Sequence, residues 1–553
     1  MKKSVLYYLI FLIINFAFLI HDSFCQYQNV LISNQFYPCE VTIIINPKNI
    51  NEIVAGSCIS FLGTDTSISG YYYSTNGGHN WTSGVLHSAL ASPSGDPVVI
   101  VDTAGFFYYI QNANYHGFVP PCFDRHLVMK STNGGMNWPI GSTYGYNNGK
   151  FQDKPWGCVD WSNSIWRNSI YITWTEFSKY SFLGGSQDSS IILFTKSTDG
   201  GLNWSQPIRI SKRKGDSQDA SNTLEGAVPC TGPNGEIYVS WSGPIIFNSN
   251  QYGIFFNKST DGGNTWLDSE KVATSQPGGW CILNIYGTGR CNSFPVTCCD
   301  LSNGPYRGTI YINFSDQRNG PTDTDIWLIK STNGGSNWSS VKRVNNDPPG
   351  KHQFFNWMTI DQTTGYLYFI FYDERNTSIS STDVYMARST DGGETFQNVR
   401  VNTTTIQLTS NSYLADYINI CAVNGHVRPI WTSTLNNNSI YTAIVDTFYS
   451  NSINNINTEI PSSFSLSQNY PNPFNPNTKI KFDIPSKGKN QKAKVKLLIY
   501  DILGKEIETL LNEQLNPGIY EVTFDGSNIP SGIYFYRLSA GNFSETKKLI
   551  LFK

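Results

Sequence analysis

Acidic and arginine side chains in this sequence fall where short apolar segments begin and end, which is where a β-rich protein presents groups for binding or proton transfer. Glu40, Asp96, Asp153 and Glu225 precede or open such segments, and Glu176, Asp316, Arg318, Asp373 and Arg375 follow others. The runs Asp316-Gln317-Arg318 and Asp373-Glu374-Arg375 repeat one Asp-x-Arg pattern. A guanidinium is a planar fork of N–H donors that matches a carboxylate, so a pocket of these residues suits an anionic or hydroxylated ligand. The alternative for the same runs is scaffold, because an Asp and an Arg two residues apart can pair and pin a loop. Several carboxylates around one axis also suit a hard cation such as calcium. Arg290 is a third arginine of interest.

These groups need a frame, and an octapeptide supplies it. Ser197-Thr198-Asp199-Gly200-Gly201-Leu202-Asn203-Trp204 has counterparts at Ser74 to Trp81, Ser131 to Trp138, Ser259 to Trp266, Ser331 to Trp338 and Ser389 to Phe396. Repetition at this spacing points to a modular architecture. Each copy reads as a turn: a short polar side chain accepts hydrogen bonds from N–H groups just downstream, and two glycines supply positive φ. The third position is Asp199, Asp261 and Asp391 in three copies and Asn76, Asn133 and Asn333 in the others. An acceptor survives that exchange and a proton-transfer group does not, so the role is structural.

Between the octapeptides a second repeat appears. Seven segments open with a short apolar strand, beginning at Glu40, Asp96, Lys154, Glu225, Phe294, Asn356 and Asp416. Each is followed by a β-branched or aromatic strand such as Ile170-Tyr171-Ile172-Thr173-Trp174, then by a third strand leading into the turn and a short fourth one, such as Pro207-Ile208-Arg209-Ile210. Four strands per unit is the anatomy of a propeller blade. The seventh unit, Asp416 to Asp446, lacks an octapeptide and a fourth strand. Gln28-Asn29-Val30-Leu31-Ile32-Ser33 is similar to Gln397-Asn398-Val399-Arg400-Val401-Asn402 and is expected to complete it, closing the ring and hiding its sheet edges.

The octapeptide resembles the Asp box, Ser-x-Asp-x-Gly-x-x-Trp, of sialidase-type β-propellers. That resemblance implies a seven-bladed all-β propeller over residues 26–447, with the boxes on one rim and ligand contacts on the other. The family's enzymes are glycoside hydrolases that grip a substrate carboxylate with three arginines and use a Tyr nucleophile helped by a Glu, with an Asp as acid/base. Arg318, Arg375 and Arg290, with Tyr372, Glu374 and Asp96, would be drafted into those roles. The Arg-bearing motif expected ahead of the first box is missing: the region reads Phe36-Tyr37-Pro38-Cys39-Glu40-Val41, with no Arg between Lys3 and Ser74. The resemblance therefore favours an extracellular glycan- or protein-binding propeller, with a diverged sialidase-type hydrolase as the alternative.

Composition agrees with an exported β-protein. Formal net charge is −2 and charged residues make up 14%, which provides no electrostatic footprint for nucleic acid. Met1-Lys2-Lys3 and the apolar run Val5 to Ile20 read as a signal peptide over residues 1–25, with Ser23 and Cys25 before a cut at Gln26. Asp22-Ser23-Phe24 is a poor context for lipid attachment at Cys25. Export permits disulfides. Cys281 and Cys291 flank a loop and could bridge, Cys39 and Cys58 are expected on neighbouring strands of one blade, and Cys158, Cys230, Cys298, Cys299 and Cys421 fall in expected buried strands. No Cys/His spacing for a zinc site occurs, and a monomer is expected.

Residues 448–463, rich in Asn and Ser, read as a linker. Residues 464–553 contain neither Cys nor Trp, and strands such as Val495-Lys496-Leu497-Leu498-Ile499-Tyr500 suit a small Ig-like β-sandwich. Gln468-Asn469-Tyr470-Pro471-Asn472-Pro473-Phe474-Asn475-Pro476, Tyr500-Asp501-Ile502-Leu503-Gly504-Lys505 and Ser531-Gly532-Ile533-Tyr534 resemble the C-terminal sorting domain of the type IX secretion system. That implies passage across the outer membrane, with the secretion machinery as partner and release or attachment at the cell surface as the outcome.

Overall fold

The computed structural model describes residues 27–60, 67–115, 123–180, 188–218, 220–247, 249–410, 412–434, 438–446, 454–457, 461–486, 493–526 and 529–553. The expected signal peptide lies outside the described residues. Every described segment of regular structure is a strand.

Seven sheets, each with a meander of four antiparallel strands, and one two-stranded ribbon account for the described strands up to Asp446. Their innermost strands are Cys39–Asn46, Val98–Val101, Phe151–Val159, Glu225–Thr231, Val296–Cys299, Gln353–Ile360 and Asn419–Val423. Each packs against the next, and the last packs against the first, so the sheets circle a common axis as blades 1 to 7 of a propeller. The seventh blade takes its outer strand from the other end of the chain. Gln28–Ser33 pairs antiparallel with Ser439–Ile444, Asn29 facing Ala443 and Val30 facing Thr442.

Blade packing explains the sequence texture. A blade is covered by a neighbour on both faces, so its second strand reads as a continuous apolar run rather than an alternating one. Ile170–Phe177 and Ile237–Pro244 are buried at every position. Trp174, Trp241 and Trp431 lie fully inside, where truncation to alanine costs about 3–5 kcal/mol.

The octapeptides form the expected turns and also join the blades. The hydroxyl of Ser197 donates to Asp199 Oδ1 (2.8 Å) and accepts from the N–H of Gly201 (2.9 Å), while the N–H of Asn203 donates to the same Asp199 oxygen (3.0 Å). Where Asn replaces Asp, its Oδ1 takes over: Asn76 accepts from the Asn80 N–H at 3.0 Å, and Asn333 from the Asn337 N–H at 2.9 Å. The second glycine of each turn is pressed against the preceding blade. At Gly335 (φ 75°) a Cβ would lie 2.1 Å from Phe256 Cε1, and at Gly201 (φ 81°) it would meet Tyr108. A cation reaches across the same seam. Lys196, Lys258 and Lys330 donate to the carbonyls of Gly262, Gly334 and Gly392 in the next turn along the ring, at 2.7, 2.7 and 2.8 Å. At the closing seam Arg428 does this for Gly77 at 2.8 Å.

Two expectations need correction. Within the stretch read as a linker, Asn454–Asn457 is a strand paired with Gly518–Asp525, because its backbone groups extend a sheet of the second unit. Cys281 and Cys291 do not face each other: in the ribbon that carries them Ile282 opposes Cys291 and Cys281 opposes Asn292, so the two cysteines lie on opposite faces. Of the cysteines expected in buried strands, Cys299 and Cys421 are buried, and Cys158, Cys230 and Cys298 are half-buried.

Beyond the ring, two four-stranded sheets share one apolar core that includes Phe482, Ile499, Tyr536 and Leu549. Asn477–Ile484 alternates exposed and buried positions, as a strand covered on one face should.

Candidate functional site at the channel mouth

In blade 3, Ser197 of the box turn faces Ile170 at the start of the second strand, while Asp153 and Glu176 sit at the other end. The box turns and the strand-opening acids thus lie on opposite rims. On the acidic rim the inner strands open with a distorted step. Glu40 (φ 53°), Asp96 (47°), Lys154 (49°), Gly226 (70°), Phe355 (52°) and Ala415 (84°) have left-handed backbone, and in blades 1, 3, 4 and 6 the pairing register shifts at that step. The conformation is disfavoured for residues with a Cβ. Its recurrence around the ring makes it a property of the blade, which local residues then exploit.

Three of these positions carry charge, and they converge. Carboxylate oxygens of Glu40, Asp96 and Asp416 come within 4.8 Å of one another. Asp416 accepts from Lys154 Nζ at 2.9 Å and from Arg290 Nη2 at 3.1 Å. Lys154 Nζ also lies 3.6 Å from Asp153. One side-chain nitrogen, Asn112 Nδ2, donates to both Asp96 (2.6 Å) and Asp153 (3.0 Å), tying blade 2 to blade 3. The Tyr417 hydroxyl donates to Asp96 in a short contact. The Tyr413 hydroxyl is 3.2 Å from Glu40 Oε1 and 3.4 Å from Asp416 Oδ1, and the Asp96 N–H donates to Glu40 Oε2 at 3.2 Å.

Arg290 arrives from elsewhere in the ring. The segment from Trp280 to Phe294, inserted ahead of the fifth inner strand, packs Trp280, Ile282, Ile285 and Cys291 into the core beside Phe354 and Tyr417. It thereby carries Arg290 to Asp416 of blade 7, with the guanidinium 5.5 Å from the centre of the Trp280 ring.

Burial splits the acids into two kinds. Glu40 is pushed well above the usual carboxylate range, first by burial and then by Cys58 and Asp416. Burial does the same to Asp96, against the opposing pull of Lys154. Asp153 and Asp416 go the other way: burial opposes ionisation, but Lys154 overcomes it in both and Arg290 assists at Asp416. The Lys154 ammonium is held charged by Asp153, Asp416 and Asp96 despite burial. Lys154 and Arg290 thus sit against Asp153 and Asp416, while burial disfavours the ionised forms of Glu40 and Asp96. For the calcium ion entertained above, Glu40, Asp96 and Asp416 offer three oxygens close enough to share one cation, and the Lys154 ammonium, 2.9 Å from Asp416, competes for the same acid.

The sequence-derived candidates divide accordingly. Glu40, Asp96 and Asp153 come together, with Arg290. Glu176 instead accepts from Lys150 (2.7 Å), Asn147 and Gln152, while Glu225 lies within 3.4 Å of the Thr175 hydroxyl. The Asp-x-Arg runs pair within themselves. Arg318 pairs with Asp316 and lies 4.8 Å over the Trp327 ring. Arg375 pairs with Asp373 (2.7 Å), reaches Asn346 and Asn398, and covers Tyr385. Tyr372 is wholly buried; its hydroxyl donates to the Thr432 carbonyl (2.8 Å) and accepts the Thr432 N–H (3.1 Å), joining blade 6 to blade 7. Glu374 is buried beside Lys351 and His352, and burial pushes its carboxyl up to about 7.

Lys154, Asp416, Tyr413 and Tyr417 were missed. The signal was present: Lys154-Pro155-Trp156 occupies the register of Asp96-Pro97-Val98, and Asp416-Tyr417 opens the seventh segment. A search for acids alone passes over a lysine that completes them.

Residues 468–552 match the family described as secretion system C-terminal sorting domain. The chain is accordingly exported by that system to the cell surface or the extracellular space, and its C-terminal unit engages the secretion machinery. No curated protein matches the chain. Among solved structures, the chain is similar to the Hadza microbial sialidase Hz136 at 12% identity and a TM-score of 0.40, covering 68% of this chain and 73% of that one. A polysaccharide lyase of the PL25 family, an ulvan lyase, matches at 11% identity over 77% of this chain and 94% of the other, with a TM-score of 0.45. The α-L-arabinanase of Penicillium chrysogenum matches at 12% identity over 68% and 98%, with a TM-score of 0.40.

Proposed function

We propose that this exported propeller binds an extracellular glycan at the channel mouth, on the rim opposite its box turns. The observation that carries the reading is the division of labour around Asp416. Lys154, Asp96 and Tyr417 are sealed inside, whereas Arg290, with its side chain 24% exposed, and Tyr413, 42% exposed, are partly open to solvent around Asp416 and Glu40. A guanidinium, a phenol and a carboxyl group side by side suit a sugar that carries hydroxyls and a carboxylate. A glycan array probed with the purified protein and with Arg290→Ala tests this. Binding of uronic- or sialic-acid glycans by the parent, weakened in the variant, is the expected result, and identical profiles count against it.

One contact favours a second reading, cleavage of the bound glycan. Asp96 accepts from the Tyr417 phenol, and a carboxyl that burial pushes above its ordinary range suits proton donation to a departing sugar oxygen if the site opens to substrate. The phenol argues the other way. Tyr417 is itself buried and pushed above its ordinary range, so it is not an activated nucleophile in the resting site. Incubation with fluorogenic sialosides and uronides decides between them: turnover abolished by Asp96→Asn would replace binding with hydrolysis.

A further inference from the structure

Cys39 and Cys58 stand directly opposite one another on the first two strands of blade 1. Both are buried, and with Ala415 they form a contact cluster of their own under the channel mouth. The two thiols hydrogen-bond each other; that bond, then burial, pushes the Cys39 thiol well above its ordinary range.

We propose that Cys39 and Cys58 are a disulfide in the exported protein, a covalent staple behind the turn that presents Glu40. Opposed residues of an antiparallel pair have Cα atoms roughly 4.5–5.5 Å apart, inside the roughly 4.4–6.8 Å that a disulfide spans. The secretion route takes the chain through an oxidising compartment, where such a pair closes and stays closed. No other described cysteines stand opposite one another in a strand pair. Cys281 and Cys291 lie on opposite faces of their ribbon, and Cys298 and Cys421 spend their thiols on the carbonyls of Met358 and Arg428.

In the reaction each thiol gives up its hydrogen and the Sγ–Sγ bond forms. The two electrons and two protons pass to the disulfide of a thiol–disulfide exchange protein in the export compartment, which leaves as a dithiol. The exchange needs a thiolate, and burial makes that form scarce once blade 1 is packed. The bond therefore forms while the strands are still accessible, and the finished ring shields it from reductants. Its effect reaches the site. A Cβ placed on Gly95 would meet Cys58 Sγ at 3.5 Å and Glu40 Oε2 at 3.7 Å, so the sulfur is part of the wall beneath Glu40 and Asp96.

The test is peptide mapping of the protein recovered after export, unfolded in guanidinium with iodoacetamide and no reductant. One peptide pair joining Cys39 to Cys58, two hydrogens lighter than its separate halves and released by dithiothreitol, is expected. Carbamidomethylation of both cysteines without reduction overturns the proposal, as does a link from either to another cysteine. A second measurement compares urea midpoints with and without dithiothreitol. The parent midpoint should fall on reduction and that of a Cys39→Ala/Cys58→Ala variant should not move; an equal fall in both sinks the proposal.

Discussion

Lys154, at the head of the third inner strand, places its ammonium 2.9 Å from the carboxylate of Asp416 at the head of the seventh. The pair spans the mouth of the ring and joins blades far apart in sequence. Both partners are over nine-tenths buried. Lys154→Met withdraws the ammonium from both Asp153 and Asp416 and leaves Asp416 with Arg290 as its cation. It should lower unfolding free energy by about 3–5 kcal/mol, the cost of breaking a buried pair, read from urea denaturation. A loss under about 1 kcal/mol would show that Arg290 and water already compensate the two acids.

The site and the scaffold should separate under mutation. Tyr372→Phe removes a hydroxyl that satisfies both backbone groups of Thr432, at a cost of about 1–3 kcal/mol of stability, with glycan binding intact. Arg290→Ala should do the reverse, weakening binding of acidic glycans by roughly 10–100-fold through the lost charge-assisted hydrogen bonds while the fold tolerates it better. Calorimetry and denaturation on the same two variants would expose a reversed pattern.

Acid and base act on the cluster in opposite senses. Asp153 and Asp416 titrate below the ordinary carboxylate range, so their stabilisation is complete above about pH 4 and fades as pH falls through their depressed values. Glu40 and Asp96 titrate above it, so theirs is complete below about pH 4 and fades as pH rises toward their raised values. A Glu40→Gln/Asp96→Asn variant cannot lose that second contribution. Its stability relative to the parent should climb as pH rises from about 4 toward the raised values of the two acids, followed by denaturant midpoints. A difference that stays flat across the range would mean that both acids are already ionised.

Within a box turn, Ser197→Ala should cost more than Asp199→Asn. The serine hydroxyl makes two bonds, including one to the buried Gly201 N–H, and its loss is worth about 1–2 kcal/mol. Asparagine already does the aspartate's work at Asn76, Asn133 and Asn333, so the second change should stay within about 0.5 kcal/mol. Parallel thermal melts of the two variants check the order.

Fold and site were not equally legible in the sequence. The box turns were readable because Ser, Asp and two glycines must be contiguous to close their own hydrogen bonds, and the closing strand Gln28–Ser33 was readable because it repeats the pattern of Gln397-Asn398-Val399. The site was only half readable. Glu40 and Asp96 share a register within the repeat, with Asp153 one residue ahead of it in blade 3, but their chemistry depends on Lys154 and Asp416, whose pairing exists only because the ring brings blades 3 and 7 face to face across the mouth. Asp316-Arg318 and Asp373-Arg375 misled for the converse reason: their partner lies two residues away, so the charge that looked available is spent locally. Asn454–Asn457 escaped notice because its polar side chains carry no strand signal, and what places it is backbone pairing with Gly518–Asp525.

The pairing of Gln28–Ser33 with Ser439–Ile444 means that the earliest-made strand has no partner until the last blade exists. A polypeptide interrupted at any earlier point is left with two raw sheet edges and, for the same reason, without the tail that addresses it for export. Completeness of the circle and permission to leave the cell are thus certified by the same end of the chain.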